Sequence, residues 1–238
     1  MKDFSHYIME KTGLKLTEKK LSSLSKMYTS EDIMGDKIFE AAKNFINPET
    51  SFFRNAEVSE LLRNLIDQKN SRVWFAGCST GQEVYSAYLM SKKNLNLKLV
   101  GTDLNIDAIH HAKQGKYFLY RSKEIEKINL FKKDTFMNIC PDENLNSTYV
   151  EFKKNLSKII LFDIHNLVTG PYNFEFDIVI CRNVLLHMTE NGKAKALRSL
   201  EKSVKAGGFL ILGDTDPKMT GTEWKRINKG NIVLWQKS

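Results

Sequence analysis

The sequence predicts an α/β protein: a mostly parallel sheet with helices on both faces, a C-terminal antiparallel hairpin, and a small helical unit ahead of it. Three observations carry this. Short apolar runs alternate with amphipathic segments from residue 57 onward, the rhythm of a doubly wound sheet. The run Val73–Ala76 ends in Gly77-Cys-Ser-Thr-Gly81 and opens a helix, the corner from which nucleotide-type sites are built. After Gly207-Gly208, Phe209–Leu212 reads as a buried strand and Trp224–Trp235 as a hairpin that closes the sheet.

In chain order, residues 1–46 form a short basic N-terminal helical unit. Leu14, Leu16, Leu21, Leu24 and Met27 fall near helical spacing with Lys15, Lys19, Lys20 and Lys26 between them. Thr17 is placed to cap a helix over 18–28, and Asp36–Ile46 is a second amphipathic segment that Asn47-Pro48 breaks. The unit serves as a solvated face or as a docking surface.

Residues 47–238 make up the main domain. Phe52 and Phe53 beside Arg54 either anchor the small unit or wall a site that holds a cationic group. Val58, Leu61, Leu62, Leu65 and Ile66 predict an amphipathic helix over 57–68. A helix runs from Gly81 to about Lys93, where Lys92 and Lys93 suit the negative end of its dipole. Leu97–Asp103 is the second strand; Asn105 caps the next helix and Gly115 ends it. Residues 116–157 are less regular, with strand-like alternation at Thr148–Phe152, and read as a small insertion or subdomain. Lys158–Phe162 and Phe176–Cys181 are further strands, the latter suited to a central parallel position. Thr189 starts a helix that Gly207-Gly208 stops.

The 238 residues suffice for one good-sized core plus an appendage, and 42% hydrophobic with 27% charged residues is ordinary for a globular chain. No apolar run is long enough to span a bilayer and no signal peptide opens the sequence, so a cytoplasmic protein is expected. The 3 cysteines are widely spaced, which fits neither a disulfide framework nor a zinc site. A net charge of +8 favours an acidic partner, a protein surface or nucleic acid, or else serves solubility.

The chemistry sits at the strand ends. Gly77 and Gly81 let a backbone approach a ligand closely, and Ser79 or Thr80 can cap the helix. The spacing is not the dinucleotide fingerprint, and no Gly-Lys-Ser/Thr follows as in a P-loop. Glu83, in the first helical turn, would repel a phosphate but could hold an ammonium group. Asp103 ends the second strand, where α/β nucleotide sites place an acid on ribose hydroxyls. The central strand delivers Arg182-Asn183-Val184 to the ligand-binding end of the sheet. The site elements converge on a ligand with a ribose and an ammonium group; S-adenosylmethionine has both, and its sulfonium also carries a transferable methyl. The terminal hairpin fits a methyltransferase-like sheet better than a dehydrogenase one.

These motifs resemble, over nearly the whole chain, the CheR family of chemotaxis receptor glutamate methyltransferases. The resemblance rests on Thr50-Ser-Phe-Phe-Arg54, Phe75–Ser86, Gly101-Thr-Asp103, His111–Tyr117, His165-Asn-Leu167, Cys181-Arg-Asn-Val184 and Lys205–Gly213, in this order. It implies a Rossmann-like class I methyltransferase sheet that uses S-adenosylmethionine and releases S-adenosylhomocysteine. The implied partner is the cytoplasmic domain of a methyl-accepting chemoreceptor, with an acidic helical surface whose glutamates become methyl esters. By the same resemblance Thr50, Arg54, Glu83, Asp103, Asn166, Leu167, Asn183 and Val184 contact the cofactor. Glu83 takes the methionine amino group, Asp103 the ribose, and Arg54 lies near the transferring methyl. A glutamate with a pKa of about 4.3 is already ionised at neutral pH, so no general base is called for.

Several positions depart from the family pattern: Pro48 for a frequent Asn, His187 for the usual aromatic at the active-site rim, and Gly213-Asp-Thr-Asp216 for Gly-x-Ser-Glu. His187 is either substrate-facing or an ordinary rim residue. Two other readings stand beside the enzyme: a cofactor-binding regulatory protein without transfer activity, and a methyltransferase for a nucleic acid or small molecule. Nucleic acid is disfavoured, because no Asn/Asp-Pro-Pro-Tyr motif is present and Cys140-Pro141 reverses the order of a cytosine-methylating Pro-Cys.

Overall fold

The computed structural model describes residues 2–28, 38, 50–66, 71–91, 96–120, 122–131, 133, 137–142 and 147–238. The Asp36–Ile46 segment apart from Ile38, the Asn47-Pro48 break, and Lys92-Lys93 lie outside them. The main sheet has seven strands: β1 (Arg72–Ala76), β2 (Lys98–Asp103), β6 (Ile160–Ile164), β7 (Phe176–Cys181), β8 (Val204–Leu212), β9 (Trp224–Lys229) and β10 (Ile232–Lys237). Their spatial order is β6-β2-β1-β7-β8-β10-β9. The first five run parallel, and β10 inserts antiparallel between β8 and β9. This is the predicted sheet with its closing hairpin.

Alternation along the buried strands splits the core in two. Val73, Phe75, Leu99, Ile178, Ile180 and Ile211 face one layer. It is covered by α3 (Ala56–Ile66), α4 (Gln82–Met90) and α5 (Ile106–Gln114). Trp74, Val100, Val179 and Leu210 face the other, packed against Ala196 and Leu200 of α7 (Glu190–Lys202). Because both faces are covered, β1 from Val73 and β7 from Ile178 carry continuous apolar runs.

Helix ends follow local chemistry. The Thr189 hydroxyl accepts the Gly192 N–H at 3.0 Å, and Asn105 Oδ1 accepts from Asp107 and Ala108. One stop signal reads differently. Helix α7 ends at Lys202, where the Ser203 hydroxyl folds back onto the Ser199 carbonyl at 2.9 Å. Gly207-Gly208 instead lie inside β8, at an irregularity where the register slips between Phe176–Val204 and Ile178–Phe209. Among the described residues, Lys133 is a cation at the carbonyl end of α4, donating to the carbonyls of Tyr88 and Ser91, both at 2.7 Å.

Residues 116–157 hold a second, antiparallel sheet of β3 (Lys116–Leu119), β5 (Ser147–Phe152) and β4 (Met137–Asp142), with helix α6 (Ser122–Phe131). It is stapled to the main domain by aromatics: Phe152 stacks on Tyr85 at 3.9 Å, and Phe52 meets Tyr117 edge-on at 5.0 Å. Phe52 and Phe53 are both buried against this unit, not against the N-terminal helical unit they were expected to anchor, while Arg54 beside them is exposed.

The N-terminal helices, α1 (Lys2–Thr12) and α2 (Glu18–Met27), share a small core of Ile8, Leu14, Leu16, Leu24 and Ile38. Four hydrogen bonds and a bridge between Leu14 and Met188 dock the α1–α2 loop against the strand ends. Lys15 N–H reaches the His187 carbonyl at 2.8 Å, Thr189 N–H the Gly13 carbonyl at 2.8 Å, and Asn166 Nδ2 the Lys11 carbonyl at 2.7 Å. The Thr189 hydroxyl adds a longer bond to the same Gly13 carbonyl at 3.4 Å. Gly13 sits at φ 72°, and a Cβ there would come within 2.6 Å of Val168 Cγ1. Only glycine suits that approach.

Candidate functional site

A cleft opens where the parallel strands end, the ligand side of such sheets. Three backbone corners build it. At the first, the N–H groups of Gly77 and Cys78 both bond the Thr102 carbonyl, at 2.7 and 2.9 Å, folding the loop over β2. Gly77 (φ 80°) leaves no room for a side chain, because a Cβ would drive into Val184 Cγ2. The expected side-chain cap on α4 is not made. Gly81 occupies the cap position in a left-handed conformation; Ser79 donates its N–H to Asp103 instead, and the Thr80 hydroxyl donates to Gln82. The first turn of α4 therefore carries no side-chain cap from this loop.

The second corner is Asp103. Its two oxygens accept one N–H each, from Ser79 at 2.8 Å and Asn105 at 2.9 Å, which aims the carboxylate and leaves lone pairs for further donors. Burial raises its pKa, and the N–H groups of Asn105, Ser79 and Leu104 oppose that rise. Glu83, on the first turn of α4, is likewise pushed up by burial, with Arg182 and then Arg54 pulling it down. An acid held this way gains from a cation placed beside it.

The third corner follows β7. Asn183 is held at φ 59°, and Val184 leads into a short 3₁₀ turn, Leu185–His187. Of the described non-glycine residues, those with positive φ are Phe53, Ser79 and Asn183. Ser79 and Asn183 line the cleft, and Phe53 precedes Arg54, which also lines it. Backbone strain of this kind collects at functional sites, where the surrounding fold holds it. His187 lies exposed at the rim; burial, then the Lys20 ammonium of α2, lowers its pKa, so the ring is neutral at pH 7.

All ten sequence-predicted positions line this one cleft of about 850 Å³: Thr50, Arg54, Gly77, Glu83 and Asp103 on one part, Asn166, Leu167, Asn183, Val184 and His187 on the other. Asn166 is already engaged. Its amide nitrogen bonds the Lys11 carbonyl and its oxygen accepts the Val168 N–H at 3.2 Å, so this side chain holds the N-terminal unit in place. Sequence reasoning missed Thr12 and Leu14, which reach the cleft from the far end of the chain, and also His165, Arg182 and Met188. Arg182 was legible as a neighbour of Asn183; Thr12 and Leu14 carried no local signal. His165 Nε2 contacts the Gly170 carbonyl at 3.1 Å, and burial lowers its pKa. Cys78 and Cys181 are buried, which pushes both thiols far up and leaves them unreactive.

The family model for the CheR methyltransferase SAM-binding domain matches residues 48–233. The chain belongs to the CheR methyltransferase family. It is 32% identical to a chemotaxis protein methyltransferase of Listeria monocytogenes, over 77% of this chain and 70% of that protein. A Borreliella burgdorferi protein of the same name is 26% identical over 75% of this chain, which spans 62% of its length. A Vibrio anguillarum relative, also so named, is 24% identical and aligns over 97% of this chain and 94% of its own.

The cofactor of this CheR domain is S-adenosylmethionine, and the cleft's donor set fits it. Asp103 keeps lone pairs for ribose hydroxyls, half-buried Glu83 suits an ammonium, and Gly77 offers backbone where a Cβ cannot go. Among the described residues no helix is long and apolar enough to cross a membrane.

Proposed function

We propose that this chain forms methyl esters on glutamates of a chemoreceptor's cytoplasmic helices, in the cytoplasm. The observation that carries the reading is the charge arrangement of the cleft: half-buried Glu83 with Arg182 and Arg54 in its field, and Arg54 exposed at the rim. When bound, S-adenosylmethionine supplies an electrophilic methyl on a sulfonium, which the glutamate oxygen takes in line while the C–S electron pair stays with the sulfur of S-adenosylhomocysteine.

Each side chain then has a task. Glu83 holds the methionine ammonium and Asp103 the ribose hydroxyls. Leu167 and Val184 pack at the adenine and methionine ends, with Thr50 and Asn183 as polar contacts. Asn166 supports the adenine end through the loop it pins. Arg54, assisted by Arg182, orients the incoming carboxylate, and no side chain need remove a proton, because that carboxylate is ionised already. Positioning and water exclusion supply the rate. The names of the Listeria and Borreliella relatives support a chemotaxis substrate.

The test uses methyl-labelled S-adenosylmethionine with receptor cytoplasmic fragments from the same cell. Label released as volatile methanol by mild base is the expected result. Transfer that survives base would mean another acceptor group, and cofactor binding with no transfer would mean a regulatory protein.

A further inference from the structure

The opposite end of the sheet carries a second charged surface. Strand β6 is the outermost strand, and a groove runs along each side of its N-terminal end. Arg72, Lys98 and Lys158 line one groove; Lys113, Lys116, Lys153 and Lys154 line the other. Leu161 and Ser157 belong to both, so the two form one saddle over the strand. No Asp or Glu is among the described residues lining either groove. Of the nearby acids, Glu151 pairs with Lys116 at 3.3 Å and Asp177 with Lys205 at 2.9 Å, while Glu175, between Phe174 and Phe176, is exposed.

Between the cations lie apolar side chains left in water, Leu161 at 47% and Phe174 at 51% exposure. The topology explains them. The crossover from β6 to β7, residues 165–175, contains no helix, so a loop alone roofs this sheet face where a doubly wound sheet ordinarily carries a helix. Solubility asks for interspersed charges of both signs and covered apolar groups. This surface is predominantly positive and carries exposed apolar groups, the anatomy of an interface with an apolar centre and a charged rim.

We propose that the saddle docks an amphipathic acidic helix of a protein partner, its apolar stripe on Leu161 and Phe174 and its carboxylates on the lysines. The helix fills the position the crossover leaves uncovered. The site is separate from the strand-end cleft and does not depend on the methyl-transfer reading.

The probe is a fluorescein-labelled amphipathic peptide helix with a leucine face and glutamate flanks, followed by anisotropy with the full chain. Wild type should bind with a salt-dependent affinity. K154E/K158E, which reverses one charge on each groove, and L161A/F174A, which keeps every charge, should each weaken binding at least about tenfold. K225E/K229E on the far edge strand should leave it unchanged. Affinity for S-adenosylhomocysteine should be the same in all four proteins. Absence of peptide binding, an equal loss in K225E/K229E, or tighter binding of a single-stranded oligonucleotide at these residues would each overturn the proposal.

Discussion

The cleft has two walls, built in different ways. The sheet wall consists of corners that lie within a few residues of strand ends: Gly77 and Ser79 after β1, Asp103 ending β2, Asn183 after β7. The positive φ angles of Gly77, Ser79 and Asn183 persist because flanking parallel strands, buried on both faces, leave the loops no alternative path. The N-terminal wall, Thr12 and Leu14, arrives by contacts 155 and 176 residues apart in sequence, Asn166 to Lys11 and Thr189 to Gly13. It rests on a few hydrogen bonds and a glycine fit. One wall is a product of the core and cannot yield without it; the other can loosen while the sheet stays folded.

Substitutions can break or sharpen this contrast. The largest effect is expected on the sheet side: Arg54→Ala should lower turnover by about 10²–10³-fold, as for loss of a charge-stabilising donor. Its melting temperature should barely move, since the side chain is exposed. Wild-type-like turnover would remove Arg54 from the mechanism. Glu83→Gln should weaken S-adenosylhomocysteine binding by about 2 kcal/mol, read by calorimetry.

The pH dependence of that variant is a sharper reading. Burial raises the Glu83 pKa above its usual 4.5, and in the proposed role Glu83 holds the cofactor's ammonium in its ionised form. Wild-type affinity should therefore fall as pH drops through the raised pKa, and the Gln variant should lose this component. Stability of the cofactor-free protein runs the other way. The folded state keeps a proton that the unfolded chain has released, so Glu83 costs stability as pH rises from the ordinary value through the folded one. A pH series of melting curves should show that slope reduced in Glu83→Gln.

Smaller effects belong to the N-terminal wall. Gly13→Ala places a side chain at positive φ against Val168 and should cost about 1–2 kcal/mol, with severalfold weaker cofactor binding. Full cofactor affinity in that variant would mean that the wall is structural only. Asn166→Ala removes the bond to Lys11 and should cost about 1 kcal/mol by chemical denaturation.

The legibility of the site follows the same division. Glu83 and Asp103 could be placed at the cleft because their positions are local signals: a helix first turn and a strand end, each next to a recognisable loop. Arg54 depended on the whole Thr50–Arg54 motif, since its aromatic neighbours alone allowed two readings that burial then separated. Ser79 and Thr80 were misread as caps because composition favours them there, whereas the loop's turn brings Gly81 to that position and commits Ser79 to Asp103. Gly207-Gly208 were misread as a stop because a glycine pair inside a strand looks the same as one after a helix. Asn166 was read as a cofactor contact, and only the docked α1 reveals the bond its amide already makes.

The sequence by itself determined the order of strands and helices, the closing hairpin, the cofactor's chemistry and the sheet wall of its cleft. Those depend on periodicity, turn chemistry and charge at neighbouring positions. The tertiary structure alone decided the N-terminal wall, the aromatic staple of the second sheet, and the lysine saddle around β6. Each comes from surfaces that meet only after the chain has closed long loops, and no window of sequence contains both partners.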